Sequence, residues 1–488
     1  MNWQKRLDMR RLLFLAIAIA AAIQGFAAGL FEKPKNPPNI IFILADDLGY
    51  GDLGCYGQKR IKTPNIDKLA AEGMRFTQCY AGTTVCAPSR CCLMTGLHSG
   101  HARIRGNNAY PLQAEDVTVG EVLSGAGYKT GLIGKWGLGL PGTTGTPAKH
   151  GFEEFAGFLS QTHAHQYYPT SVWRSGQDFQ AISKDEVMWV GSLALNANDQ
   201  RKVYIHDLFT LGATNFVTVS RRHPFFLYLA YTIPHANNEL GRASGNGMEV
   251  PSDAPYSNED WPQPEKNKAA MITRMDRDIG RLMEYLKAFK LDTNTVVFFA
   301  SDNGAHSEGG VKAAFHNSSG PLRGIKRDMY EGGIRVPMIV RWPGKIKSGV
   351  VSDFPWAFWD FLPTAAEISG ATNAPKNIDG MSILPTLLGK EQKPHEFFYW
   401  EFHERGSKQA VRMGDWKAVR LAIDKPIELY NLKSDLGETN DVAGSHPEIV
   451  AKIEAYLKTA RTPSEKWPLA LPPKAGQKVP AEAPAEVN

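Results

Sequence analysis

A chain of 488 residues with 55 Lys and Arg against 50 Asp and Glu carries a net charge of +5 and can bury a large core without cross-links. Lys5, Arg6, Arg10 and Arg11 outnumber Asp8 at the start, so the remainder is nearly balanced and has no basic run for gripping nucleic acid. An anionic substrate must therefore be met by a few placed cations rather than by a broad field.

In chain order, the first segment reads as an export signal. A basic stretch ending at Arg10-Arg11 precedes an apolar run from Leu12 to Ile23, and Gly25 and Ala27 have the spacing for cleavage after Ala27. The run is short for a membrane span. Removal of residues 1–27 is expected to leave a secreted or periplasmic protein that meets a membrane only if this segment stays uncleaved. Asn39 to Ala45 (NIIFILA) predicts a buried strand, and Thr63-Pro64 opens a helix over Pro64 to Glu72. A helix at Thr118 to Gly125 follows, then strands at Thr130 to Trp136 and Pro224 to Tyr231. Ile272, Met275, Ile279, Leu282, Met283 and Leu286 mark a long amphipathic helix over Lys266 to Phe289. Strands at Thr295 to Ser301 and Val336 to Arg341 complete the alternation, which implies a mainly parallel sheet with its site at the carboxyl ends of the strands.

Near Gly389 the texture changes. Phe397 to His403, Gln409 to Leu421 and Ile427 to Leu432 predict antiparallel strands, followed by a helix over His446 to Ala460. The organisation is a large α/β domain over 36–389, a small α+β domain over 390–470, and a tail over 471–488 whose Pro, Ala and Glu content predicts disorder.

Cys55, Cys79, Cys86, Cys91 and Cys92 share one short stretch and do not read as a disulfide framework. Export permits a Cys55–Cys79 bond, which the sequence leaves open, and an odd cysteine asks for another role. Cys86-Ala87-Pro88-Ser89-Arg90 places a cysteine at the N-terminus of a proline-started helix, where backbone N–H groups favour anions. Arg90, one turn on, shares that face and can hold an oxyanion. Asp46-Asp47 closes the first strand, and adjacent carboxylates repel unless a cation or a shared proton relieves them. Asp302-Asn303-Gly304 closes another strand. Singly each reads as a turn or cap, but together they offer hard oxygen ligands suited to Ca2+ or Mg2+.

Cys86 to Arg90, with Leu93, Thr95 and Gly96 downstream, resembles the C-x-P-S-R signature of the type I sulfatases. Motifs similar to that family's run from Asn39 to Trp342, and weaker ones continue at Asp415-Trp416-Lys417 and Glu428 to Leu432. The resemblance implies an α/β, alkaline-phosphatase-like fold, a large mixed sheet sandwiched by helices with a smaller C-terminal α+β domain. It implies that a separate maturation enzyme converts Cys86 to formylglycine, whose hydrate carries two hydroxyls, one to attack sulfur and one to expel sulfate later. A metal, Ca2+ or Mg2+, would be held by Asp46, Asp47, Asp302, Asn303 and the oxygen derived from Cys86. Arg90, Lys135 and Lys326 would balance the sulfate charge, and His235 would protonate the leaving oxygen. The substrate would be a sulfated carbohydrate or an aryl sulfate.

One departure stands out. The family reads G-K-W-H-L-G where this chain has Gly134-Lys135-Trp136-Gly137-Leu138-Gly139, so the histidine that touches the hydrate is missing at Gly137. The segment Gln161 to Tyr168 supplies His163 and His165 as substitutes, His163 being preferred. Two other readings stay open: a phosphate or phosphonate monoester hydrolase on the same scaffold, and an inactive sulfated-glycan-binding protein.

Overall fold

The computed structural model describes residues 37–107, 110–175 and 189–473; the export segment at 1–27 and the tail from 474 onward lie outside the described residues. β1 (Asn39–Ala45) is buried along its whole length. Ile40, Phe42 and Leu44 enter one hydrophobic cluster while Ile41, Ile43 and Ala45 enter another. Successive side chains point to opposite faces, so a strand covered on both sides must be apolar at every position.

The sheet that grows around it takes in β2 (Met74–Tyr80), β3 (Lys129–Lys135), β4 (Glu154–Phe158), β5 (Ser171–Ser175) and β6 (Trp189–Ser192). β7 (Phe225–Ala230), β8 (Thr295–Ser301), β9 (Arg335–Arg341), β10 (Val350–Ser352) and β11 (Trp356–Ala357) complete it. Its order is β10-β2-β9-β8-β1-β7-β3-β4-β5-β6, with β11 beside β2. β8, β1, β7, β3 and β4 are parallel, as the alternation predicts. β9 runs antiparallel to β8 and to β2, and β5 and β6 run antiparallel at the other edge, so the sheet is mixed. Antiparallel neighbours need no crossover helix, and no helical period separates β4 from β5 to announce them.

Helices Ile205–Ser220 and Gln263–Ala288 cover the face that carries Ile41 and Ile43, through Phe209, Phe216, Ile272, Met275 and Ile279. Helices Cys86–Thr95 and Phe361–Ser369 cover the other face, where the Phe361 ring lies 4.6 Å from that of Phe42. Truncating a buried ring such as Phe42 typically costs about 3–5 kcal/mol.

A second, antiparallel sheet is built from β12 (Phe398–Phe402), β13 (Lys408–Met413), β14 (Trp416–Arg420) and β15 (Glu428–Asn431). The stretch read as one strand over Gln409 to Leu421 is two, parted by a turn with Gly414 at φ +59°. Helix Pro447–Leu457 packs on this sheet through Ile453, against Tyr399, Val411 and Leu429. β12 also grips the larger sheet. The Trp400 Nε1–H donates to the Ala81 carbonyl at 3.0 Å, and the Thr83 hydroxyl donates to the Glu401 carbonyl at 3.1 Å. The Glu401 N–H meets the Ser99 Oγ at 2.9 Å and the Glu401 carboxylate meets Arg105 at 2.8 Å. Both flanks of the helix Cys86–Thr95 are therefore pinned by one strand. All five cysteines are free, so Cys55 and Cys79 do not pair.

Candidate active site

β1 and β8 run side by side in register, Ala45 opposite Ser301. The residues that follow each strand, Asp46-Asp47 and Asp302-Asn303, must therefore emerge together at the carboxyl edge. The Asp302 N–H donates to the Ala45 carbonyl at 3.0 Å, and the Asp47 N–H donates to Asp302 Oδ1 at 3.1 Å. Asp47 takes a left-handed backbone at φ +65°, a conformation aspartate tolerates better than most side chains. Lys135 ends β3, and His235 follows β7. Six side chains thus hang from the ends of four adjacent parallel strands, the place where open α/β sheets bind ligands.

The helix Cys86–Thr95 aims its N-terminus at this cluster. The Cys86 Sγ lies 3.3 Å from Asp46 Oδ1. The Arg90 guanidinium is fully buried; its Nε and Nη2 donate to Asp302 Oδ2 at 3.1 and 2.9 Å, its Nη1 to the Lys135 carbonyl at 2.9 Å. Nη2 also lies 3.4 Å from Asp46. The Lys135 Nζ donates to Asp46 Oδ2 at 2.7 Å. The Lys326 Nζ donates to Asp47 Oδ2 at 2.8 Å and to Glu308 Oε2 at 3.2 Å, and it lies 3.3 Å from His235 Nε2. Three buried cations face three buried carboxylates.

Burial alone would raise the pKa of Asp46, but Lys135, His235 and Arg90 together hold it well below the ordinary range. Asp302 goes the other way, pushed up to about 7 by burial and by the charge on Asp46. Burial and then Lys326 push His235 down to about 3, so its imidazole is neutral. Its Nδ1 sits 2.7 Å from the Ala236 carbonyl and carries the proton, leaving Nε2 toward Lys326. Burial and Asp46 push the Cys86 thiol well above its usual value. As a thiol it is therefore a poor nucleophile.

A divalent cation fits this geometry. The Asn303 Nδ2 donates to Asp47 Oδ1 at 2.7 Å, while its Oδ1 is buried and has no hydrogen-bond partner among the described residues. A buried carbonyl oxygen left over beside two like-charged carboxylates is what a hard cation would use. Asp46, Asp47, Cys86 and His235 each offer a ligand atom, all within 4.8 Å of one another.

The two histidines offered as replacements for the side chain missing at Gly137 have different neighbours. His163 packs edge-on to Phe158 at 4.6 Å, turned to the hydrophobic layer. His165 stacks on His235 at 4.8 Å and pairs with Glu239 at 3.0 Å. The reason lies in a single turn of 3-10 helix, His163–His165, which points these two side chains in different directions. Glu308 and Tyr167 were not foreseen in these positions. Glu308 clamps Lys326 and the Arg327 guanidinium, 2.6 Å away. The fully buried Tyr167 sets its hydroxyl against the carbonyls of Thr232 and His235, fixing the loop that carries His235. Both lie in segments without a period, where sequence carries no signal of what a side chain meets.

A parallel core with acids at its strand ends, flanked by a small antiparallel sheet, defines an alkaline-phosphatase-like hydrolytic fold. The chain matches the Sulfatase family over residues 38–371 and the family described as N-sulphoglucosamine sulphohydrolase, C-terminal, over residues 325–463. It belongs to the sulfatase family, enzymes that hydrolyse sulfate esters. It is 31% identical to Arylsulfatase A of Homo sapiens, over 91% of this chain and 89% of that protein. It is 29% identical to N-acetylgalactosamine-6-O-sulfatase of Bacteroides thetaiotaomicron, over 88% and 94%. Among solved structures, Ps i-CgsB in complex with k-i-k-neocarrahexaose shares 30% identity at a TM-score of 0.72, covering 87% of this chain and 93% of that one.

Proposed function

We propose that this chain releases sulfate from a sulfated carbohydrate, with formylglycine formed from Cys86 and a divalent cation held by Asp46, Asp47, Asp302 and Asn303. The observation that carries the reading is the convergence of those oxygens and of Arg90, Lys135 and Lys326 on one helix N-terminus. Four protein oxygen ligands favour Ca2+ over Mg2+, which keeps more of its water. When bound, the cation would supply Lewis acidity and the formylglycine the attacking oxygen.

The chain's own residues bind, orient and move protons. Arg90 spends its donors on Asp302 and Lys135, so it fixes the acids rather than the substrate. Lys135 has donors to spare after Asp46 and can turn them to sulfate oxygens, where preorganised charge lowers the barrier. His235 is neutral at rest. An anionic sulfate beside it favours the charged form, whose Nε2–H can then be given to the leaving oxygen, while Asp47 and Glu308 keep Lys326, 3.3 Å away, charged.

Carbohydrate is favoured over a simple aryl sulfate because two similar proteins carry sugar in their names. A chain of partly exposed charged groups, Glu308, Arg327 and Glu404, also runs out from Lys326, and such groups suit sugar hydroxyls. Export through the segment 1–27 and maturation by a separate enzyme complete the reading.

The test is to co-express the chain with a formylglycine-generating enzyme and to weigh the Cys86 peptide. Free sulfate is then measured from sulfated oligosaccharides, with aryl phosphate as competitor. Converted protein that frees phosphate faster than sulfate would be a phosphomonoesterase. Converted protein that binds sulfated sugar and frees nothing would be a binding protein.

A further inference from the structure

Gly137 lies two residues past Lys135 with a left-handed backbone, φ +78°, and its N–H donates to the Leu159 carbonyl at 3.2 Å. The space a side chain would need there is already filled. A Cβ built on Gly137 would fall inside contact distance of Gln161 Nε2, with the Gln161 Cδ only 3.3 Å away. That Nε2 is buried and has no hydrogen-bond partner among the described residues. A buried amide donor left unspent is costly, which makes it a candidate for a ligand's acceptor.

Its place in the fold says which ligand. Gln161 leaves the carboxyl end of β4, where Phe158 pairs with Lys135, the residue whose Nζ holds Asp46. Four residues further on, His165 stacks on His235. Gln161 thus lies on the segment that joins the strand end beside Lys135 to the His165 ring stacked on His235, with its Nε2 against Gly137, two residues past Lys135.

We propose that the Gln161 carboxamide stands in for the side chain that residue 137 lacks, and that its Nε2–H donates to an oxygen of the bound sulfate group. A carboxamide donates a hydrogen bond but neither takes up nor releases a proton near neutrality. Gln161 would therefore position the sulfate and stabilise its charge without acting as a base, a different solution from the histidine substitutes considered for this position. The assignment rests on the sulfate-ester reading of the site.

The experiment uses full-length protein with Cys86→Ser, which binds without turning over. Calorimetry measures its affinity for inorganic sulfate and for a sulfated monosaccharide. Gln161→Ala should weaken both by about 10- to 100-fold, the effect of one hydrogen bond to a charged group. Melting curves give a second readout. Gly137→His alone should lower the melting temperature, both through its left-handed backbone and because Gln161 occupies the space, and only the second part should be relieved in a Gln161→Gly background. Equal affinities with and without the Gln161 side chain, or strictly additive melting shifts, would overturn the assignment while leaving the sulfatase reading intact. A parent protein that binds neither ligand would overturn both.

Discussion

Cation affinity should climb with pH and level off above about pH 7, because one ligand of the four holds a proton that the cation must displace. Asp47, like Asp46, is held low: burial works to raise it, but Lys326 and His235 outweigh that. Asp302 is raised to about 7 by burial and by Asp46. A folded value above the unfolded carboxylate value means the metal-free protein keeps this proton below pH 7. Stability from the neutral form is present at low pH and is lost as pH rises through the folded value. Binding must expel the proton, so affinity should fall toward tenfold per pH unit below about pH 6 and stay flat above about pH 8. At 100 times its Kd, Ca2+ should add about 2.7 kcal/mol of stability. Calorimetry on chelator-treated protein in two buffers of different ionisation heat counts the protons, near one at about pH 6 and near none at about pH 8. Asp302→Asn, which keeps an oxygen and loses the proton, should flatten the slope. A pH-independent affinity, or no proton release at the acid end, would refute the reasoning.

Cys86→Ala should abolish sulfate release under every maturation condition while leaving circular dichroism and melting close to the parent; sulfate detected from this variant would remove Cys86 from the chemistry. Arg90→Met should cost about 3–5 kcal/mol in urea titration, since it leaves Asp302 and Asp46 buried without their shared cation. A loss below about 1 kcal/mol would mean that Lys135 alone neutralises both. His235→Ala should lower kcat/KM by about 10²–10⁴-fold on sugar sulfates and much less on a nitrophenyl sulfate, whose leaving oxygen needs no proton. Equal losses on the two substrates would count against a proton-donor role.

Three of the strands that carry the site, β1, β7 and β8, were legible because each is buried on both faces and so holds a near-continuous apolar run. β1 and β8 were read to the residue, and the acids after them follow from register. The edge strands β5, β6 and β10 were not legible. They are short or only partly buried, and nothing in their composition separates them from loop. Within the site, Asp46, Asp47, Cys86, Arg90, Lys135, His235, Asp302, Asn303 and Lys326 stand together as motif order suggested. His163 and His165 look alike in sequence, yet two positions along one turn of 3-10 helix set them against different neighbours, Phe158 and His235. Gln161 was invisible: its significance comes from what Gly137 lacks, and that relation exists only in space.

The grip of β12 on both flanks of the helix Cys86–Thr95 also sets an order in time. Arg105 waits for Glu401, 296 residues further along. At about 5–20 residues per second, a ribosome needs roughly 15–60 s to cover that distance. Through this interval the stretch from Ala81 to Arg105 has been made and the strand that closes over it has not. The segment around Cys86 therefore waits long for its distant partners during synthesis, and Cys86, 1% exposed in the finished protein, is more open to solvent before that strand is made.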